Sequence, residues 1–197
     1  MAQIIEKVGS LSDSQKAQIE TAITRARNMA DQVWEEWSGI YNQSGKQKAR
    51  RRKRTAAWKR SAPFMEWFGW KALTNPQFNR VNRRLSRIRS TLHKPDDIKI
   101  IFKASKGWCC GNTAWNGGFR RSRLHICDGY FEYGAQERAT TIIHEMVHAT
   151  AASQWGHPGG NSFDAGDCRS RASRSPRKAR SNAYNFERLF MAFDPGA

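Results

Sequence analysis

The sequence predicts an α+β fold in which N-terminal helices precede a small antiparallel sheet, and the sheet precedes a helix carrying His144-Glu145-Met146-Val147-His148. Three observations lead there. Apolar residues recur at helical spacing over 12–40 and again over 135–152. Three short runs, 98–102, 113–119 and 124–127, have strand character and are joined by Gly117-Gly118 and a basic turn. The chain has 197 residues and 39% hydrophobic content, enough for one domain spanning 1–197 with a substantial core. Within it we place an N-terminal helix over 12–40, a basic segment over 44–60 and a core over about 64–193.

In chain order, Ser12 with Gln15 three residues on forms a capping box that starts the first helix. Ile19, Ala22, Ile23, Ala26, Met29, Ala30, Val33 and Trp37 form its apolar stripe, and Trp34 and Trp37 read as core anchors. The run SGKQKARRRKRTAAWKR follows; such a run is a solvated loop or helix face that meets phosphate or carboxylate groups. Trp58 and Trp67 read as core. Residues 79–92 predict a basic helix with Val81, Leu85, Ile88 and Leu92 on one face, stopped by Pro95. The strands come next, then the helix from 135, for which Gly134 is a start signal. Residues 156–166 are rich in Gly, Pro, Asn and Asp and predict a loop. Residues 169–181 are basic and Ser-rich, and 183–193 predict a closing helix with Phe186, Leu189, Phe190 and Phe193 turned inward.

The motif at 144–148 points to metal chemistry. Residues four apart share one helix face, so His144 and His148 can grip one ion, and Glu145 beside them can serve as a base. Such a site needs a third protein donor and an open position.

Charge bounds the surroundings. A net charge of +17 and a pI near 10.4 imply an anionic partner: nucleic acid, a cell-wall polymer or membrane surface, or an acidic protein such as an inhibitor. A mean hydropathy of -0.77 and the lack of a long apolar run exclude a membrane span. The first ten residues lack the layout of a signal peptide. Cys109, Cys110, Cys127 and Cys168 show no C-x-x-C spacing, which argues against a zinc ribbon. Cys109 or Cys110 bridging to Cys127 would imply an oxidising destination; four buried thiols would imply a reducing one.

Several pieces in order resemble the deuterolysin and peptidyl-lysine metalloendopeptidase group, the aspzincins, over roughly residues 64 to 190. Trp67-Phe68-Gly69 resembles the family's W-F-G segment, LHICDGYF at 124–131 its last strand and aromatic turn, and CRSRASRSPRKARSNAYNFE at 168–187 its C-terminal signature. The resemblance implies a zincin-like fold, a Zn2+ cofactor, a protein or peptide substrate held on an edge strand, and Glu145 as general base. The family's site holds zinc with two histidines and an aspartate nine residues past the second histidine. Here that aspartate motif is missing. Counting forward from His148 reaches His157, and counting back from Cys168 reaches Gly160, so the loop is longer. His157 is the first candidate for the third ligand, Asp164 the second and Asp167 the third.

The family's oxyanion-steadying tyrosine also lacks a match, Phe163 being nearest. Tyr184 stands where the family has a substrate-binding acid, and Glu187 matches the companion acid. The expectation is therefore a zinc metallopeptidase with Tyr184 either binding substrate or supplying the missing hydroxyl. Charge, cysteines and N-terminus together suggest a toxin or effector, cytoplasmic before export and then secreted or delivered into a target cell. The alternatives are a nucleic-acid-associated zinc protein or protease, and an inactive zincin-like binding module.

Overall fold

The computed structural model describes residues 1–69, 73–94, 98–104, 114–116, 123–150, 157–194 and 196. The chain opens with strand β1 (Gln3–Val8), then helices α1 (Asp13–Tyr41), α2 (Gln47–Arg60), α3 (Ala62–Phe68) and α4 (Asn75–Leu92). Strands β2 (Lys99–Lys103), β3 (Ala114–Asn116) and β4 (Arg123–Ile126) follow, then a 3-10 turn at Asp128–Glu132. Helices α5 (Ala135–Thr150), α6 (Ala165–Arg174), α7 (Pro176–Ala179) and α8 (Ala183–Met191) complete it.

The sheet corrects the expectation of antiparallel strands. Its order is β1-β2-β4-β3, with β1 parallel to β2, β2 parallel to β4, and β3 antiparallel to β4. The physical reason lies partly in the strand order, since β3 sits outside β4 instead of between β2 and β4, and partly at the N-terminus. Residues 3–8 form a strand that the sequence reading passed over, and the chain then crosses over through four helices before β2 runs alongside in the same direction. Ile100, Ile101 and Phe102 of β2 are consecutive and all buried, as a strand covered on both faces requires. Strand β3 is left at one edge of the sheet, packed near α5.

The long first helix begins where the capping box places it: the Ser12 hydroxyl accepts from Gln15 N, and the Gln15 side chain accepts from Ser12 N. Its predicted stripe is buried throughout and packs on α4 and α5. Trp37, Trp58, Phe64, Phe68 and Phe186 form a connected aromatic core, with the Phe68 and Phe186 rings 4.7 Å apart. Both indoles at its heart are satisfied: Trp37 Nε1 donates to Asn82 and Trp58 Nε1 to the Gly69 carbonyl. Gly69 ends α3 at φ +87°, and a Cβ there would lie 2.2 Å from the Ala172 carbonyl oxygen. Only glycine lets α3 and α6 approach this closely.

The basic C-terminal stretch is not all surface. Arg171 and Arg180 are buried, and so is Arg84 on α4. Arg180 donates to the Phe68 carbonyl, and Arg84 to the Arg180 carbonyl. Burial lowers the pKa of Arg84 and Arg180 to about 10, so both stay charged at neutral pH. Part of the +17 charge therefore ties backbone carbonyls together inside the protein.

Of the cysteines, Cys168 is a buried free thiol and Cys127 is disulfide-bonded. Cys109 and Cys110, the expected partners of Cys127, lie outside the described residues. Residues 151–152, the end of the helical periodicity expected over 135–152, lie outside them too.

Candidate metal centre

Helix α5 supplies two of the site's side chains and the loop after it a third. Burying Ile142, Ile143, Met146 and Val147 against the core fixes the roll of α5, leaving His144 and His148 together on one face. The Nε2 atoms of His144 and His148 are 3.2 Å apart. His157 Nε2 lies 3.0 Å from that of His144 and 3.1 Å from that of His148. Nitrogens sharing one tetrahedral zinc at ~2.0–2.1 Å stand about 3.3 Å from each other. The triangle observed is close to that.

The outer nitrogens decide what these contacts are. Nδ1 of His144 faces Glu187 Oε2 at 3.1 Å, and Nδ1 of His157 faces Asn161 Oδ1 at 3.0 Å. Each acceptor holds the ring proton on Nδ1, so both Nε2 atoms present lone pairs to each other. Two lone pairs at 3.0 Å repel unless a cation lies between them. Burial, and then the neighbouring imidazoles His144 and His157, push the pKa of His148 down to about 3. Burial and His144 lower that of His157 as well. Both are neutral at neutral pH, the form that ligates metal.

Among the described residues, His144, His148 and His157 are the group of His, Cys, Asp and Glu side chains close enough to share an ion. Three imidazoles suit Zn2+. Asp164, the alternative ligand, is not brought into this group. It caps α6 instead, its Oδ1 accepting from the backbone N–H of Gly166 and Asp167. Asp167 lies in the first turn of α6. The reading of an inactive module rested on a missing third donor; His157 provides an imidazole at that place.

Glu145 follows His144 on α5 and is 7% exposed. Tyr184, the second residue of α8, lies over the histidines: its ring stacks on His157 at 4.3 Å and 23°, and tilts over His144 at 4.4 Å. Burial, then the carboxylates of Glu187 and Glu145, raise its pKa, so the phenol keeps its proton. Phe163 is 64% exposed, with its ring 6.3 Å from that of Tyr184. Glu187 sits behind His144, and its other oxygen accepts from the Thr140 hydroxyl at 3.3 Å.

The loop holding His157 is fixed by residues the sequence reading did not single out. Asn182 Nδ2 donates to the carbonyls of Pro158 and Gly160, and Arg171 to those of Gly160 and Ser162. Asn185 receives Arg171 and donates to the carbonyls of Trp67 and Cys168. All three lie in the 168–187 signature, so the signal was present without its meaning.

A mixed α+β fold that gathers three imidazoles, with a glutamate adjoining one of them, belongs to a metal-dependent hydrolase. A family model described as lysine-specific metallo-endopeptidase, that of the aspzincins, matches residues 53–192. The chain belongs to that family and is a zinc metalloendopeptidase, a hydrolase of protein or peptide substrates. Its fold is similar to that of a zinc peptidase from Grifola frondosa, with a TM-score of 0.65 at 17% identity over 92% of this chain and 96% of that one. No curated protein matches the chain. No helix among the described residues is long and apolar enough to cross a membrane.

Proposed function

We propose that this chain is a single zincin-like peptidase domain whose zinc is held by His144, His148 and His157, with α5 as the active-site helix. The observation that carries the reading is the triangle of Nε2 atoms at 3.0–3.2 Å, two of which have their outer nitrogens engaged by acceptors. When bound there, zinc supplies Lewis acidity, polarising a carbonyl and lowering the pKa of water towards ~7.

The remaining steps belong to the chain. The edge position of β3 beside α5 supports a substrate held extended along that strand, its main chain adding to the sheet. Glu145 takes a proton from the attacking water and returns it to the leaving amine. Tyr184, still protonated, donates its hydroxyl to the oxygen that becomes negative, which is the catalytic role proposed for it. Glu187 acts through His144, holding the ring proton on Nδ1 so that Nε2 stays a lone-pair donor. With Tyr184 in place of an acid and both Glu187 oxygens engaged, neither residue supports a strict preference for a lysine side chain.

The setting we propose is that of a secreted or delivered toxin or effector. The disulfide at Cys127 supports a destination outside the reducing cytosol, and the charge of +17 supports peptide substrates in anionic surroundings such as a cell-wall polymer. The Glu145→Gln protein tests the chemistry: zinc content measured by atomic absorption should be unchanged and peptide cleavage lost. Full cleavage by that protein would refute the assignment of the base.

A further inference from the structure

We propose that the cleft between α1, α2 and α4 is a binding site for a phosphate group, free or as the phosphomonoester of a small molecule. The cavity measures about 300 Å³ and is lined by Tyr41, Gln47, Arg50, Arg54, Asn75 and Asn79, none of which belongs to the metal centre.

Its charges are left uncompensated. Helix α2, QKARRRKRTAAWKR, contains no acidic residue, and the cavity lining contains none either. Among the described residues no carboxylate pairs with Arg50 or Arg54. Arg54 is 6% exposed; its Nε donates to the Tyr41 carbonyl at 2.7 Å and its guanidinium lies 4.0 Å over the Tyr41 ring. Those contacts fix the group in place but do not neutralise it. Desolvating a cation without a counter-ion is costly, and an anion in the cleft removes that cost. Helix α4, 18 residues long, begins at Asn75 and brings the positive end of its dipole to the same cavity.

The cleft suits a compact dianion: Arg50 and Arg54 line it beside the start of α4, and no acid in the lining opposes them.

The test is calorimetric titration of the full chain with inorganic phosphate and ribose 5-phosphate at constant ionic strength. Asn75→Asp puts an anion in the cleft at a helix start where acids are favourable, so the fold is kept. Arg50→Gln removes a partly exposed cation. Both should weaken phosphate binding about tenfold or more, equal to about 1.4 kcal/mol, with peptidase activity unchanged. Lys59→Gln/Arg60→Gln, at the exposed end of α2, should leave binding as it is. Tighter binding of ribose 5-phosphate than of phosphate assigns a phosphomonoester; the reverse assigns the free ion. The proposal is overturned if the wild-type chain binds neither, or if the Lys59/Arg60 variant weakens binding as much as Arg50→Gln does.

Discussion

Glu187 holds His144 from behind: its Oε2 lies 3.1 Å from the ring's Nδ1, while its Oε1 accepts from the Thr140 hydroxyl at 3.3 Å. Helices α5 and α8 thereby meet at the metal centre, and one carboxylate sets the tautomer of one of its imidazoles. Replacing Glu187 with Gln should therefore lower zinc affinity by about 10–100-fold, measured by competition with a chelator. A residue that bound only substrate would instead raise KM for lysine-containing peptides and leave zinc affinity alone.

Tyr184 is set over two of the three histidines with its proton retained, because burial and nearby carboxylates oppose its ionisation. Tyr184→Phe keeps the ring stacking and removes the hydroxyl. It should lower kcat by about 100-fold, with KM and zinc content little changed. An unchanged kcat would show that the phenol takes no part in stabilising the oxyanion.

Much of this arrangement was legible in the sequence, for reasons particular residues make plain. The helix over 13–41 follows from one capping box and one apolar stripe, both local signals. The nine-residue step from His148 to His157 was enough to bring His157 forward as a candidate. The strand at 3–8 was missed because its pairing partner, β2, lies far along the chain; the signal available was QIIEKV itself, followed by Gly9. The sheet looked antiparallel because three short strands in succession suggest a meander, whereas β4 pairs in parallel with β2 and only β3 is antiparallel to it. The roles of Arg171, Asn182 and Asn185 were not legible, because each hydrogen-bonds backbone carbonyls brought near by the fold, and carbonyls leave no mark on composition. The cap made by Asp164 is local, yet a metal-ligand reading competed with it at the sequence level.

Asp194 gives the fold a dependence on pH. Burial works to raise its pKa, but hydrogen bonds from Arg25, Gln136 and the Gly196 amide outweigh it and hold the carboxyl below its ordinary 3.8. The folded state thus favours the ionised form. The stabilisation is complete above the unfolded value near 3.8 and disappears as pH falls through the lower folded value. Asp194→Asn should cost about 2 kcal/mol at neutral pH, in urea denaturation. The gap from wild type should narrow as pH falls below the unfolded value near 3.8; a constant gap would show that the charge is irrelevant.

Zinc content is the most direct test of a three-histidine centre. Purified His157→Ala and Asp164→Ala proteins, measured beside wild type by atomic absorption after dialysis against a weak chelator, separate the two candidates for the third ligand. The triangle of imidazoles predicts that the His157 variant loses its zinc, while the Asp164 variant, altered only at a helix cap, retains wild-type content. Zinc kept by His157→Ala and lost by Asp164→Ala would contradict the site described above.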